Sequence, residues 1–253
     1  MIINDEAALD GMKRASEAVA VTLKKMREYT TPGMSTKELD EFGGRILMGF
    51  GARSAPYLTY QFPGYTCISL NEEVAHGIPS DKRIIREGDL LNIDVSAELA
   101  GYWSDNGGSF VVGTDVHGYQ PLISASIQIL KEAISRIRGG IRLNSIGAFI
   151  EKEARRNGYN VIRNLGGHGV GLSLHEQPQS ILNYKDRFDR RRFRKGSVVA
   201  LETFITTGPT QAIEQQDGFT LLTNRKGYVA QHEHTILITD AQPIILTAAN
   251  ALW

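Results

Sequence analysis

Residues Leu90–Leu99, LLNIDVSAEL, and Trp103–Gly113, WSDNGGSFVVG, are two strand-like runs separated by a short segment that contains glycine. Two such runs with a turn between them predict a β-hairpin. Asp94 and Asp105 are symmetric about the gap between positions 99 and 100. We therefore expect the two carboxylates to lie directly opposite each other on one face, with Cβ atoms ~4.5 to 5.5 Å apart.

Two like charges that face each other across a strand pair are unfavourable unless a cation lies between them. The pair Asp94 and Asp105 is therefore a candidate for metal ligation. Two other interpretations remain open at this point. The carboxylates could be solvated at a sheet edge, or a slipped register could separate them.

The second half of the chain contains a similar pair. Glu202 and Glu233 are symmetric about Asp217-Gly218, a dipeptide that favours tight turns. Both lie in apolar runs, VVALETFI and VAQHEHTILI, where glutamate is rarely buried without a partner. The alternative is a pair of surface-facing glutamates on amphipathic strands. The histidines on either side of Glu233 point away from it by strand alternation, and we interpret them as structural.

Histidines are the third element of the candidate site. The segment NLGGHGVGLSLHE supplies His168 and His175 in a glycine-rich turn, where the backbone can approach a ligand closely. His76, in NEEVAHGIP, is a further candidate. A single histidine is more often structural than a ligand, but two in one glycine-rich turn favour a functional role.

Four carboxylates and one histidine form an oxygen-rich ligand set. It suits divalent Mn, Fe, Co or Zn. Several carboxylates in one site also indicate two ions that share bridging oxygens. The predicted cofactor is therefore a pair of divalent metal ions.

The predicted fold class is α+β, with an antiparallel or mixed sheet and helices packed on the outside. The order helix, helix, strand, hairpin occurs twice, with the break near Gly113. We predict one catalytic domain over residues 1–253, built from pseudo-symmetric halves 1–113 and 114–253. The predicted helices are approximately residues 5–29, 35–50, 121–137 and 145–157.

Composition limits the classes of function. The net charge is zero, which gives no footprint for general or sequence-specific nucleic-acid binding. The single cysteine, Cys67, cannot form an internal disulfide, and we see neither a signal peptide nor an apolar run of about 18 to 20 residues that could cross a membrane. We expect a cytoplasmic protein.

One local exception is the basic run KDRFDRRRFRK at 185–195. The favoured interpretation is a solvated loop. The alternative is a patch that makes transient contact with ribosomal RNA.

Five motifs carry a family resemblance, in this order along the chain: CISLNEEVAHGIP, NIDVSAELAGYWSD, NLGGHGVGLSLHE, VVALETFI and VAQHEHTILIT. With them the sequence resembles the bacterial type I methionine aminopeptidases, which have the two-fold pita-bread fold. The resemblance covers essentially the whole chain. It implies a monomer that removes the N-terminal methionine from nascent polypeptides when the second residue is small.

The resemblance also implies roles for individual residues. Asp94 is implied as a ligand of one metal ion, Asp105 and Glu233 as bridging ligands, and His168 and Glu202 as ligands of the other ion. Glu202 is further implied as the proton shuttle.

Two histidines are implied to act on the substrate itself. His76 would contact the substrate amide near the leaving nitrogen, and His175 would stabilise the tetrahedral intermediate. An apolar pocket for the methionine side chain is expected, for which the candidates by position are Phe62, Tyr65, Cys67, Leu174 and Phe219.

The sequence departs from the usual family pattern at Thr203, Asn106, Phe219 and His232, none of which removes a ligand. Two alternatives remain beside the aminopeptidase. One is a prolidase or Xaa-Pro aminopeptidase, which shares the fold and metal set but usually carries an extra N-terminal domain. The other is a catalytically inactive relative that binds peptide or RNA.

Overall fold

The computed structural model describes residues 1–252. The α-helices in this range are α1 (Glu6–Tyr29), α2 (Thr36–Gly49), α3 (Ala55–Tyr60), α4 (Gln120–Ser135) and α5 (Leu143–Arg156), and a short 3₁₀ helix follows at Ala248–Asn250. Asp5 caps α1 by accepting a hydrogen bond from the Ala8 amide, and Ser35 caps α2 through the Glu38 amide. The four long helices agree with the predicted ones to within a few residues.

The strands form two sheets. They are β1 (Arg53–Ser54), β2 (Cys67–Leu70), β3 (Glu73–Ala75), β4 (Leu90–Leu99), β5 (Tyr102–Val111), β6 (Asn160–Val161), β7 (Gly166–Gly169), β8 (Glu176–Leu182), β9 (Val198–Thr206), β10 (Ala212–Glu214), β11 (Leu221–Thr223), β12 (Val229–Leu237) and β13 (Ile244–Ile245). The main sheet has the order β1-β4-β5-β12-β9-β7-β8, and a small sheet has the order β10-β11-β3. All the pairings are antiparallel.

Each hairpin of the main sheet has one face covered by a helix. Ile93, Val95 and Ala97 of β4 pack in one core with apolar residues of α1 and α2. Leu201 of β9 and Ile236 of β12 pack in a second core with α4 and α5. Because side chains alternate between faces along a strand, the intervening residues point to the other side of the sheet. The predicted α+β class with helices outside an antiparallel sheet is confirmed.

The register of the first hairpin differs from the expected one. Asp94 pairs with Gly107, and Asp105 pairs with Ser96, so the aspartates are diagonal and not directly opposite. The cause is a two-residue turn at Ala100-Gly101, where both residues have positive φ angles of 52° and 88°. Since the shift is two residues, both carboxylates still lie on one face.

The register of the second hairpin agrees with the prediction, because Glu202 pairs directly with Glu233. The strands β9 and β12 are joined by an inner hairpin, β10 and β11, whose pairing Ile213 with Leu222 has the same centre near Asp217-Gly218. This inner hairpin leaves the main sheet and pairs with β3 of the first half.

The elements that were not predicted include the short helix α3 and the strand β8. They flank the space beside His168 and His175, which we call the cleft. His168, expected in a turn, lies in strand β7 and pairs with Ala200 of β9. Within residues 1–252, no helix combines the length and apolar character that a membrane span requires.

Candidate metal centre

Strand register assembles a row of acidic residues across the middle of the main sheet. Asp94 of β4 lies beside Gly107 of β5, and Glu233 of β12 lies beside Glu202 of β9. The pairing of His232 with Gly108 joins the two hairpins and brings Glu233 next to Gly107. Since Gly107 has no side chain, the carboxylates on either side can converge over it.

Asp105 and His168 complete the cluster. Ligand atoms of Asp105, His168 and Glu233 all lie within 4.8 Å of one another, and all three residues are buried. Nε2 of His168 is 3.7 Å from Oδ2 of Asp105. Asp94 and Glu202 are only partly buried. The five residues expected as ligands are therefore on one face of one sheet.

In the described part of the chain, two buried oxygens of this cluster lack a protein partner. Oδ1 of Asp105 and Oε1 of Glu233 are buried and have no hydrogen-bond partner within residues 1–252. A buried carboxylate oxygen without a donor is strongly unfavourable in a protein that binds no cation there. The two atoms fit a site whose missing partners are cations.

The orientation of His168 also fits ligation. Its Nδ1 is 3.0 Å from the Gly169 carbonyl, which can only accept, so Nδ1 carries the proton. Burial lowers the pKa of His168 to about 3, with a further contribution from the charge of His175. The ring is therefore neutral, its contact with Asp105 is not an ion pair, and Nε2 has a free lone pair for a metal.

The carboxyl groups have raised pKa values. Burial, and then the neighbouring carboxylates, hold the pKa of Asp105, Glu202 and Glu233 well above the ordinary range. Burial raises the pKa of Asp94 to about 6. These shifts express the cost of placing several negative charges together away from water. Divalent cations would offset that cost directly.

Gln231 is a polar residue of the cluster that was not predicted. Its side-chain amide lies 3.2 Å from Glu233 Oε2 and 3.4 Å from Glu202 Oε2. Its carbonyl oxygen accepts a hydrogen bond of 2.8 Å from Asn92. A side chain at Gly107 would collide with it. Strand alternation could have predicted its position, because Gln231 is two residues before Glu233 and therefore lies on the same face.

The other two predicted histidines lie at the mouth of the cleft. The rings of His175 and His168 have centroids 4.1 Å apart, and the hydroxyl of Tyr60 is 2.8 Å from Nδ1 of His175. His76 has a positive φ of 55°, a strained conformation that is common at functional sites. His76 remains accessible to solvent, but the surrounding protein atoms lower its pKa, and the charge of His175 adds to the effect.

The five residues predicted to form the methionine pocket do not all contact one another or the metal centre. Phe62 packs edge-on against Phe219 with a centroid distance of 5.1 Å, and Cys67 of β2 pairs with Asp94. Leu174 is buried, and its backbone lies next to His168. The ring of Tyr65 packs against Gly44 of α2 instead.

A cavity of about 770 Å³ between α2 and α3 is lined by both Phe62 and Tyr65, but by none of the five predicted ligands. We therefore do not take this cavity for the reaction site. Cys67 reaches the centre through its pairing with Asp94, and Leu174 through its backbone beside His168, whereas Phe62 and Tyr65 line the cavity that lacks the five ligands.

The unusual residues beside the ligands have structural partners on the opposite face. His232 bonds to Ser126 at 2.8 Å and lies 3.0 Å from the Ser109 carbonyl. Asn106 donates to the Val95 carbonyl, and Thr203 is buried near Ser126. His234 lies 2.8 Å from the hydroxyl of Thr247. The prediction that the two histidines beside Glu233 point away from it agrees with these contacts.

Fold and site together define a metallohydrolase: buried carboxylates and a neutral histidine converge on one face of a sheet, beside a cleft with further histidines. Residues 10–240 match the model of metallopeptidase family M24. The chain is 47% identical to methionine aminopeptidase 2 of Bacillus subtilis over 247 residues, which covers 98% of this chain and 99% of the relative.

Solved structures agree with this result. The methionine aminopeptidase of Thermotoga maritima has a TM-score of 0.91 and 35% identity, and the match covers 98% of this chain and 99% of that one. The prolidase of Pyrococcus furiosus has a TM-score of 0.77 at 23% identity, and only 65% of its length is matched, so it shows the fold alone. The chain belongs to metallopeptidase family M24, and within it to the methionine aminopeptidases.

The raised carboxyl pKa values predict how pH affects the stability of the metal-free protein. A carboxyl whose pKa is raised on folding contributes stability that is fully present below its unfolded pKa and lost as pH rises through the folded pKa. For Asp94 this window is approximately pH 4 to 6, and for the other three carboxyls the loss extends higher. The buried histidines oppose this trend below their ordinary pKa of 6.5.

We therefore expect the free energy of unfolding in EDTA to fall as pH rises above about 6.5. Saturating Mn²⁺ should raise the stability and remove most of that slope. Urea unfolding at several pH values measures both. A slope that is the same with and without Mn²⁺ would contradict the assignment of these carboxyls to a cation site.

Proposed function

We propose that Asp94, Asp105, His168, Glu202 and Glu233 hold two divalent metal ions, with which this methionine aminopeptidase removes the initiator methionine from nascent chains whose second residue is small. The observation that carries the residue assignment is the buried acidic cluster with unpartnered oxygens on Asp105 and Glu233. One chain supplies all five residues, so a monomer suffices. Nascent chains place the reaction in the cytoplasm.

The ligands have different surroundings, which suggests different roles. Asp105 and Glu233 lie deepest, with His168 beside them, and are suited to bridge two ions. When bound, divalent ions supply Lewis acidity that activates a water and polarises the scissile carbonyl. Asp94 and Glu202 extend the cluster towards opposite sides of the row, one for each ion.

Glu202 is the best-placed proton carrier. It is only partly buried, whereas Asp105 and Glu233 are buried. Burial raises its pKa, which brings the carboxyl closer to the range in which proton transfer is efficient. We assign it the transfer of a proton from the attacking water to the leaving amine.

His76 and His175 act on the peptide at the mouth of the cleft. Desolvation by neighbouring protein atoms lowers the pKa of both rings and favours the neutral form, although both side chains remain accessible to solvent. A neutral imidazole can donate one hydrogen bond to a substrate carbonyl or accept one from an amide. We assign His76 to the scissile amide and His175 to the carbonyl oxygen on which negative charge develops. Phe62, Cys67, Leu174 and Phe219, with Tyr65 at its edge, would hold the methionine side chain.

The alternatives are less well supported. About a third of the matched prolidase lies outside the region that it shares with this chain, since only 65% of its length is matched, and its identity is 23%. An inactive binding module would be expected to lose ligands, but all five candidates are retained in one cluster.

A Glu202→Gln variant should retain the fold and lose turnover. We expect kcat on Met-Gly-Met-Met to fall by about 10²- to 10⁴-fold, the usual contribution of a positioned acid–base group. The matched control is Glu214→Gln, the same change at an exposed residue of β10, which should keep the parental rate. An unchanged rate in Glu202→Gln would contradict the mechanism, and a preference of the parent for an Xaa-Pro peptide would contradict the substrate.

We further propose that segment 185–195 makes transient contact with ribosomal RNA near the emerging chain. It carries seven basic and two acidic side chains. Phe193 is buried in the core of α4 and α5, which fixes the segment to the fold, and Arg191 already pairs with Asp189. Arg187, Arg190 and Arg194 form no ion pair within residues 1–252.

Reversing the charge of these three arginines to glutamate should abolish co-sedimentation with ribosomes at moderate salt, because the contact is electrostatic. Hydrolysis of Met-Gly-Met-Met should be unchanged, since the segment holds no site residue. If the variant sediments with ribosomes as well as the parent does, the proposed contact is wrong.

A further inference from the structure

Tyr60 connects the first half of the chain to a histidine of the second half. It is the last residue of α3, and its hydroxyl lies 2.8 Å from Nδ1 of His175. The two rings are 6.1 Å apart between centroids and inclined at 57°, so the contact is a hydrogen bond and not a stack. Neither α3 nor this contact was expected from the sequence.

The ring of His175 has few other constraints. Its backbone carbonyl accepts a hydrogen bond of 2.9 Å from the Ser173 hydroxyl, which fixes the main chain of the turn. One face of the ring lies near His168. Within residues 1–252, the Tyr60 hydroxyl is the only side-chain group that hydrogen-bonds to the His175 imidazole.

Tyr60 is held firmly enough to orient a partner, although about half of it is exposed. The N-terminus of α3 is capped by Ser54, whose hydroxyl accepts from the Tyr57 amide at 3.3 Å and donates to the Tyr65 carbonyl at 2.8 Å. The next residue but one, Phe62, is buried against Phe219. Both ends of the segment that carries Tyr60 are therefore anchored.

The hydrogen bond has a consequence for the chemistry of His175. A neutral imidazole carries its proton on one nitrogen and accepts with the other, and the partner of one nitrogen decides the state of both. A tyrosine hydroxyl that donates to Nδ1 leaves the proton on Nε2. The nitrogen that remains available to a substrate is then a donor, which is what a carbonyl oxygen with developing negative charge requires.

We infer that Tyr60 is a positioning residue for His175: its hydroxyl donates to Nδ1 and keeps the imidazole in the Nε2-protonated tautomer, oriented towards the substrate carbonyl. The inference rests on the proposed function of His175. It assigns to α3 a role in turnover that differs from binding the methionine side chain.

The first test compares Tyr60→Phe with Tyr57→Phe in the Mn²⁺-loaded enzyme. Each variant removes one hydroxyl from α3, but the Tyr57 hydroxyl, on an exposed side chain, makes no hydrogen bond within residues 1–252. We expect Tyr60→Phe to lower kcat on Met-Gly-Met-Met by roughly threefold to tenfold, the range for one neutral hydrogen bond, with KM little changed. Tyr57→Phe should behave as the parent.

The second test reads the tautomer directly and needs no activity. Nitrogen-15 NMR of histidine-labelled, metal-free protein distinguishes a protonated from an unprotonated ring nitrogen, and His175→Gln identifies the His175 signals. We expect Nε2–H in the parent and a mixture of tautomers in Tyr60→Phe. A parent ring protonated on Nδ1, or a Tyr60→Phe variant with parental kcat and tautomer, would overturn the inference. A parent that does not hydrolyse the peptide would instead contradict the proposed function, which keeps the two failures distinct.

Discussion

Four carboxylates lie close together on one face of the main sheet, where they repel one another. Asp94, Asp105, Glu202 and Glu233 come from four different strands, and burial and mutual charge raise the pKa of three of them well above the ordinary range. In water each of these carboxyl groups would be ionised at neutral pH. Here burial and mutual charge oppose ionisation. Divalent cations among the four groups would offset that cost, and stability and activity would then depend on the same ions.

Apolar packing on the opposite face of the two hairpins offsets the destabilising effect of the acidic cluster. Along each central strand, alternate residues such as Ile93 and Leu201 enter the helix-covered cores, and the residues between them carry the polar groups of the centre. The apolar face supplies the stabilisation that the acidic face lacks. Gly107 contributes by its missing side chain, since any Cβ there would occupy the space of Gln231. Glycine at this position lets the carboxylates converge.

The sequence predicted the face of each ligand more reliably than its pairing. Alternation has a period of two, so Asp94 and Asp105 remained on one face although their register was wrong by two residues. The register depended on Ala100, which adopts the left-handed conformation. Because alanine rarely does so, the sequence indicated a turn near Gly101 but not its exact position. Glu202 and Glu233 were paired correctly because the inner hairpin at Asp217-Gly218 has a typical turn dipeptide.

Contacts between segments that are far apart in the sequence could not be predicted from the sequence. Tyr60 and His175 are 115 positions apart, and their hydrogen bond follows from how α3 packs at the cleft. The bond between Asn92 and Gln231 spans 139 positions, although strand alternation alone could have placed each of them on the acidic face. The family resemblance supplied the ligand set as a whole, whereas the physical reasons for it came from burial, unpartnered oxygens and the tautomer of His168.

Anomalous diffraction from crystals grown with Mn²⁺ would reveal whether these five residues bind two divalent ions. We expect two peaks about 3.5 to 4 Å apart, with Asp105 and Glu233 between them, Asp94 on one and His168 and Glu202 on the other. If the site lacks anomalous density, or if other residues bind the peaks, the assignment of the ligands is wrong.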